Sequence, residues 1–228
     1  MALLEMEDVT FMAGEVIPIH DISLQIEEGT ITAFVGNPGS GKSTALKILA
    51  GLFPPTFGKV RFNGKDLFSM TQKETLAFRK RAAFMFQDSA LWSNQDIYHN
   101  LELPLQIHYP HMHKDEQKQR ILDIIKLVDY EKPLTNRPAA LSLGERKKIG
   151  FARALLCEPD ILFLDEPTES LDEATVTRFV AILEKFCKRK GTLVFVSHDA
   201  DFLKTFQGTK CIFKNGELLN GSLNKNEI

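Results

Sequence analysis

Residues Ile31-Thr32-Ala33-Phe34-Val35 run into Gly36-Asn37-Pro38-Gly39-Ser40-Gly41-Lys42-Ser43, and Thr44-Ala45-Leu46-Lys47-Ile48-Leu49 follow. The middle stretch fits G-x-x-x-x-G-K-[ST] and lies between a strand-like run and an apolar helical run, the context this loop requires. Glycines let the backbone curl so that successive N–H groups face phosphate oxygens, and the N-terminus of the helix adds partial positive charge. Lys42 supplies a mobile cation for the β- and γ-phosphates, and the Ser43 hydroxyl suits Mg²⁺. The expected nucleotide-binding residues are Gly36, Asn37, Pro38, Gly39, Ser40, Gly41, Lys42, Ser43 and Thr44. The ligand implied is a nucleoside triphosphate.

Further along, Ile161-Leu162-Phe163-Leu164 ends in Asp165-Glu166, and Thr192-Leu193-Val194-Phe195-Val196 ends in Ser197-His198. Continuous apolar runs, each preceded by a helical stretch, suit central strands of a parallel sheet covered on both faces. Groups at the C-terminal ends of such strands gather beside the phosphate loop. Asp165 is therefore expected to hold Mg²⁺ directly or through water, and Glu166 to polarise the attacking water as general base. His198 can hydrogen-bond a γ-phosphate or that water.

The remaining chain frames this centre. Residues 3–11, 20–26, 30–35 and 59–62 read as short strands, and Asn63-Gly64 marks a turn, so an antiparallel β lobe is expected at this end. Thr71-Gln72-Lys73-Glu74 has capping-box spacing and should open a helix running to about Arg81, with a strand over 82–86. Ile121, Ile124, Ile125 and Val128 recur at helical spacing. Asn215-Gly216 should close a last hairpin.

Composition narrows the class. The 228 residues are 43% hydrophobic, and 28 Lys+Arg against 30 Asp+Glu leave a net charge of −2, which disfavours a general nucleic-acid binder. No apolar run approaches the roughly 18–20 residues that span a bilayer, and the N-terminus carries acids rather than a secretory pattern. A cytoplasmic protein is expected. Cys157, Cys187 and Cys211 lack metal or disulfide spacing and read as small core or surface thiols. The basic clusters Arg79-Lys80-Arg81 and Lys188-Arg189-Lys190 read as solvated helix faces.

Leu141-Ser142-Leu143-Gly144-Glu145-Arg146-Lys147-Lys148 resembles the LSGGQ signature of ATP-binding-cassette (ABC) ATPases. Gln87 is similar to that family's Q-loop, Asp165-Glu166-Pro167-Thr168 to its extended Walker B, Ser170-Leu171-Asp172 to its D-loop and His198 to its H-loop. The resemblance covers essentially the whole chain. It implies an α/β, P-loop NTPase ABC-ATPase fold, with a mixed sheet core, an N-terminal antiparallel β lobe and a helical subdomain. Residues 1–228 would be a single ABC ATPase domain, with about 89–157 inserted in the RecA-like core as the helical subdomain.

The resemblance also implies ATP and Mg²⁺, with Ser43, Gln87 and Asp165 toward the metal and Glu166, His198 and Gln87 toward catalysis. A second copy would pair head to tail, so that Ser142, Leu143, Gly144 and Glu145 of one chain hold ATP on the other. The signature departs from the family pattern at Leu143 and Glu145. Ser142-x-x-Glu145 keeps capping-box spacing, so a working signature is expected. Ala13 stands where many relatives stack an aromatic on adenine; either Phe11 substitutes by proximity or the adenine contact is weaker.

One cassette and about 30 residues after His198 suggest a transporter ATPase that docks on separate transmembrane permease subunits at the cytoplasmic face of the inner membrane, and the resemblance implies that the segment after Gln87 carries the docking surface. Residues 86–92 and 100–105 resemble Mla-type ATPases, implying lipid transport with an MCE-type lipid-binding protein. A lipoprotein-release or small-solute transporter ATPase is the alternative, and a soluble assembly ATPase of the iron–sulfur type is a reading of another class.

Overall fold

The computed structural model describes residues 2–223. The chain opens with β1 (Leu4–Ala13) and β2 (Val16–Ile26), continues through β3 (Ile31–Gly36) into helix α1 (Lys42–Leu49), and returns as β4 (Phe57–Phe62) and β5 (Lys65–Asp66). β2, β1, β4 and β5 form a 4-stranded antiparallel sheet in that spatial order. β3 does not belong to it, contrary to the grouping read from sequence. Its Thr32, Ala33 and Phe34 are all buried, whereas β2 alternates buried and exposed residues from Ile22 to Ile26, so β3 needs cover on both faces.

Thr71 caps α2 (Gln72–Arg81) through the expected capping box with Glu74. β6 (Ala82–Met85), α3 (Ile97–His108), α4 (Lys114–Leu127), α5 (Leu143–Leu155), β7 (Ile161–Asp165), α6 (Glu173–Lys188), β8 (Thr192–Val196), α7 (Ala200–Thr205), β9 (Thr209–Lys214) and β10 (Glu217–Leu223) follow. The 6-stranded sheet runs β10-β9-β3-β8-β7-β6. All its neighbours are parallel except the β9–β10 hairpin, which turns at Asn215-Gly216.

Alternation along the central strands explains their unbroken hydrophobicity. Ile161, Phe163, Val194 and Val196 pack on one side with α1 and the antiparallel sheet. Leu162, Leu164, Leu193 and Phe195 pack on the other with α3–α6. Phe163 is fully buried, and its truncation to alanine would cost about 3–5 kcal/mol.

α3 was not legible as a helix because Pro104 lies inside it. Its first turn is held instead by the Asp96 carboxylate, which accepts from the His99 N–H, and by buried Asn100. The Asn100 amide donates to the carbonyls of Trp92 and Asp96. The basic triplet at the end of α2 is not merely solvated: Arg81 pairs with Asp160 at 2.6 Å, and the Lys80 ammonium lies 4.0 Å from the centre of the Tyr109 ring.

Candidate functional site

The C-terminal ends of β3, β7 and β8 lie level, with Phe34 and Asp165 both in register with Val196. That register brings Gly36, Asp165-Glu166 and Ser197-His198 to one edge of the sheet. The loop after β3 needs its glycines for space. A Cβ on Gly36 would stand 2.2 Å from the Phe213 carbonyl oxygen, and one on Gly41, whose φ is +97°, would stand 2.4 Å from the Pro18 oxygen. The loop therefore packs tightly between the two sheets, and Gly41 turns the chain into α1 as its N-cap.

Lys42 is buried, and its ammonium donates to the carbonyls of Gly36 at 2.8 Å and Asn37 at 2.7 Å. Burial lowers its pKa, against the opposing pull of Glu166 and Asp165. Ser43 Oγ donates to Asp165 Oδ1 at 2.7 Å. The second oxygen, Oδ2, is buried with no hydrogen-bond partner, and Lys47 Nζ is 3.8 Å away. A hydroxyl and an under-satisfied carboxylate beside a phosphate loop form the hard oxygen set that Mg²⁺ takes together with nucleotide oxygens. Among the described residues no group of three or more His, Cys, Asp or Glu side chains is arranged to hold a metal by itself.

Glu166 has a left-handed backbone, φ +47°, a rare conformation for a residue with a side chain. It is anchored from several directions. Its N–H donates to the Val196 carbonyl, and its carboxylate accepts from the His198 N–H at 3.2 Å and lies 3.4 Å from the His198 ring Nε2. Burial pushes its carboxyl above the usual range, against the lowering effect of His198. A carboxylate so placed can accept a proton from water while the imidazole bonds the same water or a phosphate oxygen.

Gln87 follows β6 and does not reach Ser43 or Asp165 by hydrogen bond; its amide donates to Glu169 Oε2 at 3.1 Å. The signature also stays apart from the phosphate loop, with no hydrogen bond between them among the described residues. It lies against the segment after Glu169, with an ideal Cβ on Gly144 3.6 Å from the Ser170 carbonyl oxygen and 3.7 Å from the Leu171 side chain. The capping box is present: Ser142 Oγ accepts from the Glu145 N–H at 3.2 Å, and the Glu145 carboxylate accepts from the Ser142 N–H at 2.8 Å. Leu143 is 61% exposed and causes no local distortion of the helix start. Ser170 is left-handed, and Asp172 caps α6 by accepting from the Thr175 N–H.

Phe11 is engaged within the β lobe. Its ring stacks on Phe53, centroids 5.8 Å apart, and packs against the β-lobe core, while the turn from Ala13 to Val16 carries no aromatic residue.

A family model described as "ABC transporter" matches residues 19–169. The chain belongs to the ABC transporter family. In the solved dimeric ATP-binding cassette MJ0796 bound to ADP and Pi, the match is 29% identical with a TM-score of 0.88, covering 99% of this chain and 100% of that one. This ABC ATPase fold is thus shared over the full length of that cassette. Among curated relatives, methionine import ATP-binding protein MetN 2 of Enterococcus faecalis is 34% identical over 96% of this chain. MetN of Clostridioides difficile is 31% identical over 95%. The chain spans 64% of the first and 67% of the second. These names do not carry the expected likeness to lipid-transport ATPases. Within the segment that suggested it, Asn100, Leu101 and Leu105 are buried in the helical layer, so their residue types reflect packing.

Two site residues escaped the sequence reading, Lys147 and Glu169. Lys147 is only 5% exposed; its ammonium donates to the Glu166 carbonyl at 2.5 Å and lies 3.7 Å from Glu169 Oε2. A signal existed, because Lys147 shares the buried stripe of α5 with Gly150, Phe151 and Ala154. A cation on an apolar helix face needs a partner.

Proposed function

We propose that this ABC ATPase domain powers a membrane transporter by binding and hydrolysing ATP as a head-to-tail pair of copies. The observation that carries this reading is the meeting of the Ser43–Asp165 and Glu166–His198 pairs at one sheet edge. Lys42 and the loop N–H groups bind the phosphates. Ser43 and Asp165, with Gln87 once released from Glu169, would hold Mg²⁺, which supplies charge neutralisation on the phosphoryl oxygens. Glu166 accepts the proton of the attacking water, and His198 orients that water or the γ-phosphate. At the capped start of α5, the exposed Ser142 and the Gly144 N–H would meet ATP on the other copy, with exposed Leu143 at the rim.

No helix among the described residues is long and apolar enough to cross a membrane, so the chain would work peripherally, on separate permease subunits at the inner face of the membrane. A groove of about 420 Å³ lined by Phe84, Phe86, Trp92, Leu103, Pro104 and Arg153 suits that docking. The relatives named for methionine import favour a small solute such as an amino acid over a lipid, and a substrate-binding protein over an MCE partner.

The test of the ATPase reading is Glu166→Gln. With MgATP it should accumulate as a dimer in sedimentation and lose turnover; normal turnover would place the base elsewhere. Capture from native membranes tests the transporter reading. Recovery of a permease with a solute-binding protein supports it, recovery with an MCE protein reinstates lipid as cargo, and purely soluble partners overturn the transporter role.

A further inference from the structure

Lys147 lies one turn inside α5, the helix whose first residues carry the signature, yet its side chain runs inward to this chain's own strand-end loop. There it meets the one main-chain carbonyl that follows the left-handed Glu166 φ. Its second neighbour, Glu169, accepts at the same Oε2 from the Gln87 amide. One ammonium group thus braces two of the segments that form the candidate site.

We propose that Lys147 is a positioning residue, which holds the Glu166 main chain through its carbonyl and Gln87 through Glu169. A left-handed non-glycine residue persists only where its surroundings over-determine it. The Val196 carbonyl fixes the N–H side of Glu166, and Lys147 fixes the carbonyl side. Without Lys147 that peptide is free to rotate, and the carboxylate swings with it. Glu169 has two tasks in this arrangement: it offsets the buried ammonium and holds the Gln87 amide away from Ser43 and Asp165. Because Lys147 and the Ser142–Gly144 segment belong to one rigid helix, a displacement at the signature is transmitted to this chain's own base.

The proposal rests on Glu166 being the base, and the experiment separates the two. In Lys147→Met, which keeps the length and apolar stem of the side chain, amide hydrogen exchange over residues 165–170 of the nucleotide-free protein should rise at least about tenfold, with residues 36–44 unchanged. Turnover should fall at least about tenfold with ATP affinity within about twofold of wild type. Lys147→Arg, which keeps charge and donors, should recover a large part of both. Unchanged exchange over 165–170, or turnover within about twofold of wild type while Glu166→Gln is inactive, overturns the role of Lys147 alone. Normal turnover in Glu166→Gln overturns both assignments. Should Lys147→Met fail to fold, Glu169→Ala carries the test, because it leaves α5 intact and removes both the carboxylate beside Lys147 and the oxygen that accepts from the Gln87 amide. Faster exchange over residues 85–89 is then expected, and unchanged exchange there refutes the proposal.

Discussion

Ser43 Oγ donates to Asp165 Oδ1 at 2.7 Å, joining the first turn of α1 to the end of β7 across 122 residues of sequence. The partner oxygen Oδ2 is buried and unsatisfied. An unmet buried acceptor costs about 1–3 kcal/mol. Asp165→Asn does not relieve that cost, because it puts an amide N–H in the same place and removes the charge facing Lys47; the ligand-free protein should be no more stable than wild type, while most of the extra stabilisation that Mg²⁺ adds to ATP is lost. Thermal melts with ATP plus EDTA, then ATP plus Mg²⁺, read both effects. A wild-type Mg²⁺ increment in Asp165→Asn would take that residue out of the metal site.

Lys42 is the cation buried within the phosphate loop, bonded to two loop carbonyls. Lys42→Ala removes the charge that the phosphates meet while leaving the glycine geometry intact. ATP affinity should fall by at least about a hundredfold, equivalent to about 2.7 kcal/mol, with the fold retained. Equilibrium binding of a fluorescent ATP analogue checks it, and wild-type affinity would sink the assignment.

Much of this centre was legible because each element carried a strong local signal. Gly36 and Gly41 mark positions where a Cβ meets backbone oxygen, and Asp165, Glu166 and His198 end runs too apolar for anything but covered strands. The capping boxes at Thr71 and Ser142 were readable from spacing alone. What escaped depended on tertiary placement. β3 resembles its N-terminal neighbours in residue type, and only its pairing with β8 and β9 assigns it to the parallel sheet. α3 hides behind Pro104, and Gln87 is turned by Glu169, a residue 82 positions away. The lipid suggestion drew no support from the named relatives for a related reason, since short runs such as 100–105 are shaped by core packing as much as by partners.

The Ser142–Glu145 capping box bears on the altered signature. Ser142→Ala deletes the acceptor for the Glu145 N–H and should cost about 1 kcal/mol in urea unfolding. Glu145→Gln keeps an acceptor for the Ser142 N–H and loses only the ion pair with half-exposed Lys132, so it should cost no more than about 0.5 kcal/mol. ATP-dependent dimer formation in the Glu166→Gln background should survive Glu145→Gln and fail with Ser142→Ala. If Glu145→Gln also abolishes the dimer, the carboxylate itself is needed there and capping is not its main role.

Cys211 lies in the core beside β3, and burial pushes its thiol up to about 11. In the unfolded chain a thiol ionises near pH 8.5, so from about pH 9 to pH 11 the unfolded state binds fewer protons than the folded state. Stability contributed by the neutral buried thiol is therefore full below about pH 8.5 and is lost as pH rises through 11. Lys42 and Lys147, whose pKa values are lowered by burial, act in the opposite direction, so the comparison must isolate the thiol. The difference in unfolding free energy between wild type and Cys211→Ala should shrink by about 1–3 kcal/mol between pH 8 and pH 11. Urea unfolding of both proteins across that range measures it. A constant difference would mean that the thiol ionises as readily in the folded protein as in the unfolded one, contrary to its burial.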